Sequence, residues 1–403
     1  MEPRFHLQSK GNGTKPTLIT MSTIDPFVIN IPDATLAKIR DRVSAFIWHE
    51  EPDGNEWEYG TTINYMKELC DYWQSGFEWH IHERAINQFS QFVTSVDGID
   101  LHFIHEPGSG PSPQPLLLSH GWPGSIYEFL NVIEPLAHPE RFGGSIDDSF
   151  SVVAPSLPGF GFSAKPRTPM GPRAIASLFT NLMTKKLGYD RFVAQGGDWG
   201  SVISGWIGFD HKHHCDGVHL NMFGVRTSGI YPESNEEKAW TNAAQKTFAA
   251  EGGYFQIQST KPQTLSYAMM DSPVGVAAWI VEKFQRWGDI KENKIETVFS
   301  KDQLLTNIMI YLVTETFNTA SWIYRAYADE NSRFLPKGSR INVPVGVANF
   351  AKEFIPWPPR SYAAKMYNIV HWTDMPRGGH FAAMEEPELF VNDLRTFRQI
   401  IGR

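Results

Sequence analysis

The spacing of apolar positions changes period twice along this chain, and the changes divide it into zones. From about residue 27 to residue 91 apolar side chains recur at helical intervals. Leu36, Ile39 and Val43 share one face of a helix that Asp33 is placed to cap, and Ile63, Met66, Leu69, Cys70 and Trp73 mark a second. The period then shortens to two. Residues 92–96 and 99–105 alternate on either side of Asp97-Gly98, a pair suited to a tight hairpin turn. Short apolar runs follow at 116–118, 150–154, 192–194 and 218–222, separated by helix-like stretches such as 126–136 and 174–187. Apolar runs of this length alternating with helices predict a mostly parallel sheet. Over 223–337 the alternation stops and the chain reads helical and aromatic, with Trp279, Phe284, Trp287, Phe317 and Trp322; it resumes at 343–348 and 369–371 and ends in a helix over 387–401. The expected organisation is therefore a polar tail (1–26), a helical meander (27–91), a core (92–222), an inserted helical lid (223–337) and the rest of the core (338–403). Such a lid is expected over the C-terminal ends of the strands, where open α/β sheets place their sites.

Composition narrows the picture. Of 403 residues, 41% are hydrophobic, enough for a large core, and the net charge of −8 argues against nucleic acid as a partner. Aromatic residues reach 13%, which suits a pocket for apolar ligands. Two cysteines, Cys70 and Cys215, cannot make a disulfide framework and fit a reducing, cytoplasmic setting. The N-terminal segment has no apolar signal region, and no stretch approaches the roughly 20 apolar residues of a membrane helix, so a soluble protein is expected. Residues 1–26 are polar, contain Gly and Pro, and are expected to be disordered. Met21 is a candidate alternative start, and the sequon Asn12-Gly13-Thr14 is not expected to be glycosylated without a signal peptide.

The strongest chemical signal is Gly196-Gly197-Asp198-Trp199-Gly200, which follows an apolar strand and opens a helix. That is the setting of a nucleophile elbow, in which small residues let strand and helix approach while the central side chain stands exposed on a sharp turn. The fold expected is therefore the α/β-hydrolase. The usual nucleophile is Ser; Asp changes the chemistry. A carboxylate, with an ordinary pKa of about 4, needs no base to be nucleophilic at pH 7. It attacks an electrophilic carbon to give an alkyl ester, which points to epoxides or alkyl halides rather than to amides or esters. His120-Gly121-Trp122-Pro123-Gly124 follows an early strand, so the backbone N–H groups of Trp122 and Trp199 are the expected oxyanion hole, and Trp122-Pro123 is a candidate cis bond. His380, in Arg377-Gly378-Gly379-His380-Phe381, occupies the last place in the chain order nucleophile, acid, histidine, and would deprotonate the water that cleaves the ester. For the acid, Glu353 after the strand at 343–348 is preferred to Asp374 after the next.

Opening an epoxide leaves an alkoxide and calls for a proton donor. A phenol suits this, and the helical block offers Tyr231, Tyr254, Tyr267, Tyr311, Tyr324 and Tyr327, among which the pattern does not choose. Trp279, Phe317 and Trp322 are the expected pocket walls. His211, His213, His214 and Cys215 crowd one helix end and His80 and His82 alternate along another segment, but neither group has partners at zinc-binding spacing, and no metal or other cofactor is expected.

These motifs resemble the microsomal-type epoxide hydrolases. The resemblance runs from about residue 27 to the C-terminus and rests on Trp48, HGWPGS with the Tyr-Glu-Phe that follows, PSLPGFGFS, GGDWGS, the run from Gln258 to Pro262, the run from Asp271 to Gly275, and RGGHFAAMEEPE. It implies that Tyr254 and Tyr324 are the two lid tyrosines, with Tyr327 one turn away, that Glu353 is the acid, and that the meander wraps lid and core. It also implies a two-step reaction of an apolar epoxide with water, without cofactor, and a possible homodimer. The membrane-bound relatives carry an N-terminal hydrophobic anchor absent here. Two other readings compete. A haloalkane dehalogenase shares the Asp elbow, but the lid tyrosines and HGWP oppose it. A non-catalytic binding protein on the same fold is expected to have lost members of the set.

Overall fold

The structure, a computed structural model, describes residues 23–330 and 332–402. Met21, the Asn12 sequon and nearly all of the expected tail lie outside the described residues. The first element among the described residues begins earlier than the apolar pattern suggests: strand β1 (Asp25–Phe27). Among the described residues it pairs only with β2 (Gln91–Val96), and that edge position tolerates Pro26, which has no N–H to donate.

The meander supplies α1 (Asp33–Ser44), α2 (Ile63–Ser75) and α3 (Trp79–Ile86). Leu36, Ile39 and Val43 form the buried face of α1, as their spacing predicts. Its N-cap, however, is Pro32. Asp33 is the first helical residue, and its carboxylate instead meets His80 Nε2 at 2.9 Å. In α2, Met66, Leu69, Cys70 and Trp73 are buried, and Thr62 caps the helix by accepting from the Tyr65 N–H.

Strand β2 turns into β3 (Ile99–Glu106) through Asp97 and Gly98, whose φ angles of 49° and 84° are those of the tight turn expected. Next come β4 (Gln114–Ser119), α4 (Leu130–Ala137), β5 (Phe150–Pro155), α5 (Pro172–Asn181), β6 (Phe192–Gly196), α6 (Asp198–Asp210) and β7 (Cys215–Leu220). The inserted block leaves through β8 (Arg226–Thr227) and returns through β9 (Phe334–Leu335). These two short strands pair in parallel and bracket α7 (Asn235–Glu251), α8 (Gly253–Thr260), α9 (Pro262–Met269), α10 (Pro273–Trp287), α11 (Lys301–Val313) and α12 (Phe317–Asp329). The core closes with β10 (Ile341–Asn349), α13 (Arg360–Ala363), β11 (Tyr367–Asp374), α14 (Ala382–Glu385) and α15 (Pro387–Ile401).

Nine strands form one sheet in the order β1-β2-β3-β5-β4-β6-β7-β10-β11. The run from β5 to β11 is parallel, while β1 to β3 form an antiparallel flank. Helices cover both faces. Adjacent residues of β7 show it: Gly217 lies against Phe397 of α15, and Val218 against Gly208 of α6. The central strands β5 and β6 bury every residue, so they read as continuous apolar runs rather than alternating ones.

The meander touches both halves. β1 extends the core sheet, while Tyr72 donates to Asp302, Lys301 pairs with Glu68, and Thr61 donates to the Ala278 carbonyl in the lid. Among the described residues no helix is long and apolar enough to cross a membrane.

Candidate active site

The elbow forms where β6 stops and α6 starts. Asp198 opens α6 with φ +45°, a left-handed conformation that a non-glycine residue adopts only under constraint. The constraint is packing against β4: a Cβ on Gly200 would stand 1.8 Å from the Ser119 carbonyl oxygen, so only glycine lets helix and strand come this close.

Two loops then converge on the carboxylate. In the first, the Trp122 backbone N–H donates to Asp198 Oδ1 at 2.8 Å, next to the cis Trp122-Pro123 bond. His120 fixes this loop. Its buried ring contacts the Gly121 carbonyl through Nδ1 at 3.0 Å and accepts from the Leu157 N–H at Nε2 at 3.1 Å, and burial lowers its pKa to about 4, so it stays neutral. The lid holds the same loop from above: Asn307 donates to the Pro123 carbonyl and Tyr311 to that of Gly124.

The second loop carries His380. Its Nε2 lies 3.4 Å from Asp198 Oδ2, and its Nδ1 lies 2.9 and 3.0 Å from the two oxygens of Glu353, so Nδ1–H is the donor to the carboxylate. The backbone N–H of His380 donates to Trp287 O, and the rings of Trp287, Phe354 and Phe381 box the imidazole. Burial alone would push His380 down; the charges of Glu353 and Asp198 outweigh it and hold the histidine well above its ordinary value. Asp374, the alternative acid, is exposed on the sheet edge with Asn349 and Trp372 as partners.

A cavity of about 230 Å³ lies between elbow and lid. Asp198, Trp199, Tyr254, Tyr324 and Tyr327 line it, with Val202, Phe223, Phe248, Phe255 and Phe354 as apolar wall. Tyr254 comes from α8 and Tyr324 from α12, helices that pack on each other. Their rings meet edge to face at 5.8 Å; Tyr254 stacks on Trp122 at 5.2 Å, and Tyr324 stands against Trp199 at 4.8 Å. The Tyr324 hydroxyl is buried, with Tyr254 and Trp199 as its polar neighbours. Burial and the nearby Asp198 charge push both phenols well above the ordinary tyrosine range, so both are neutral donors. Tyr327 is only partly buried, toward Arg226 and Arg333. Of the other lid tyrosines, Tyr231 and Tyr267 are exposed and Tyr311 is committed to Gly124.

The aromatic residues expected to wall the pocket do not line this cavity. Trp322 is two residues from Tyr324, which at about 100° per residue puts it on the opposite side of α12, where it bonds Asn318. Phe317 shares the face of Tyr324 but sits two turns earlier, buried in the packing of the lid. Trp279 is on α10 and donates to Gln258. The histidine clusters have ordinary partners: His211 bonds Ser177, His214 the Asp190 carbonyl, and His80 both Asp33 and Glu83.

One residue escaped the sequence reading. Glu128, in the Tyr-Glu-Phe after HGWPGS, lines a very small void with Asp198, His380, Gly121 and Trp122. Burial, partly countered by His380, pushes its carboxyl up to about 8. Its place in the motif was visible, but nothing in the spacing brings it to Asp198.

The chain is similar to known epoxide hydrolases along nearly its whole length. The signature described as epoxide hydrolase N terminus matches residues 24–129, and that of the alpha/beta hydrolase fold matches residues 114–270. Epoxide hydrolase 1 of Sus scrofa is 34% identical over 418 residues, covering 97% of this chain and 92% of its own. The solved structure of Aspergillus niger epoxide hydrolase superposes with a TM-score of 0.81 at 30% identity, over 94% of this chain and 97% of that one. That of juvenile hormone epoxide hydrolase from the silkworm Bombyx mori gives 0.85 at 28% identity, over 94% and 95%.

Proposed function

The chain belongs to the microsomal-type epoxide hydrolase family and is an enzyme acting on epoxides, and from that premise we propose how this site converts an apolar epoxide and water to a vicinal diol. The observation that carries the proposal is a single cavity in which the Asp198 carboxylate meets two buried phenols, with His380 and Glu353 directly behind it.

Asp198 Oδ2 attacks a ring carbon and the C–O bond opens. Tyr254 and Tyr324 donate to the departing oxygen, which takes up a proton from a phenol; an alkoxide is basic enough to do so even from a phenol of raised pKa. The product is a hydroxyalkyl ester whose carbonyl oxygen, Oδ1, already accepts from the Trp122 N–H. Trp199 N–H, at the start of α6, is the second donor proposed for the oxyanion hole.

Alkylation also changes His380. Two carboxylates hold the imidazole protonated in the resting site, and ester formation removes the charge of one of them. The histidine then releases its proton, which replaces the one the phenol gave up. Neutral His380, oriented by Glu353, is now the base that deprotonates a water as that water attacks the ester carbon. Collapse of the tetrahedral intermediate frees the diol, restores the Asp198 carboxylate and leaves His380 protonated, so the cycle balances as epoxide plus water to diol. No step calls for a metal or an organic cofactor.

Single turnover in heavy-oxygen water, with enzyme in excess over styrene oxide, tests this sequence of steps. The first diol should carry unlabelled oxygen from Asp198, and mass spectrometry of the protein should find the label in that carboxylate. A first diol already labelled from solvent would mean direct attack by water and would remove the ester from the reaction.

A further inference from the structure

The cavity is apolar around the phenols but not at its mouth. Arg226 and Arg333 line its outer rim, and both are exposed. They are fixed there by the neck of the lid: Arg226 lies in β8 directly opposite Phe334 of β9, and Arg333 precedes Phe334. Among the described residues neither makes an ion pair, although acidic groups outnumber basic ones in the chain. Glu233 and Glu237, at the start of α7, are engaged elsewhere, since both pair with Lys365. Each guanidinium lies over aromatic rings instead, Arg226 at 5.6 Å from Phe223 and 5.7 Å from Trp240, Arg333 at 5.7 Å from Tyr327. Tyr327, Tyr362 and Tyr367 are the titratable groups that feel Arg226, and all three are neutral phenols. An apolar groove of about 430 Å³ along α7 also borders Arg226, so the cation has apolar surface on both sides and less screening than an isolated surface arginine.

Two unpaired cations at the open end of an apolar cavity select for an anion on the end of an apolar chain. We propose that Arg226 and Arg333 form a carboxylate-binding site, and that the preferred substrates are epoxides of apolar carboxylic acids. The ring lies at Asp198 and the acid at the mouth. This rests on the reaction proposed above and adds the substrate class to it.

The test compares a terminal epoxide of a straight-chain fatty acid with its methyl ester, using the full chain at low ionic strength. The acid should have the higher kcat/KM by about tenfold, in line with two partly exposed charge-assisted contacts, and added salt should narrow the gap. In the double variant Arg226→Gln with Arg333→Gln the ratio of acid to ester should fall to about one. Equal turnover of acid and ester by the wild type, or an unchanged ratio in the variant, overturns the proposal. A second readout does not depend on turnover. Calorimetric binding of the saturated fatty acid, which has no epoxide, should be tighter than that of its methyl ester in the wild type but not in the double variant; equal binding in the wild type overturns the carboxylate site even if no epoxide is hydrolysed. Conversely, an enzyme that binds the acid selectively but hydrolyses neither epoxide refutes the reaction and leaves the binding site standing.

Discussion

Asp198 and Tyr324 face one cavity from supports built in opposite ways. Asp198 stands on a turn whose shape is dictated residue by residue: a strained φ of +45° and a neighbour, Gly200, at which any Cβ would collide with β4. His380 and Glu353 sit likewise on loops at strand ends. Tyr324 comes from the middle of one ordinary helix and Tyr254 from the first turn of another, with no special backbone, and they reach the site only because α8 and α12 pack on each other above the HGWPG loop. The core thus holds charge in a rigid local frame, and the lid adds neutral donors through tertiary packing. The two are fastened where α11 bonds the Pro123 and Gly124 carbonyls, so the loop that donates to Asp198 is held by the lid as well as by the core.

The largest expected effect lies on the core side. Asp198→Ala should lower turnover of styrene oxide by on the order of ten-thousandfold or more, with the circular dichroism spectrum retained, because no other side chain in the cavity can form the ester. Activity near wild type would end the distinction between nucleophile and donors. On the lid side, Tyr254→Phe and Tyr324→Phe should each slow formation of the alkyl-enzyme by about a hundredfold and together by about ten-thousandfold, read by pre-steady-state quenching of tryptophan fluorescence. A double variant no worse than the slower single one, with the other single near wild type, would mean that only one phenol meets the ring oxygen.

The smallest effect concerns Glu128, which belongs to the core loop but was not legible as part of the site. Its folded carboxyl is raised from 4.5 to about 8, so the native state keeps a proton that the unfolded chain has lost. The contribution of Glu128 to native stability should therefore fall as pH rises from about 4.5 to about 8. Glu128→Gln removes this term, and its melting temperature should gain on that of the wild type across the window by about 2–4 °C and hold that gain above it. A difference independent of pH would show that the carboxyl does not titrate there.

How much could be read in advance follows the same division. The hairpin at Asp97-Gly98, the apolar strands, the elbow, the HGWP donor and the place of His380 all rest on short-range sterics, and each was visible as a motif. The pocket walls were not. Trp279, Phe317 and Trp322 were chosen for being aromatic and in the lid, but helical phase and position turn them into lid packing, while Phe248, Phe255 and Phe354 face the cavity. The cap of α1 was misplaced by one residue because Pro32 can take the extended N-cap conformation without offering an oxygen.

The sequence alone pointed to the reaction class, because a carboxylate in place of Ser at an elbow suits attack on an electrophilic alkyl carbon, and the glycines that shape that elbow act on their immediate neighbours. Tertiary structure decided which phenols share the cavity, how deep Tyr324 lies relative to Tyr327, and that Glu128 stands beside Asp198. Those are questions of distance and burial between elements far apart in the chain, and no local pattern encodes them.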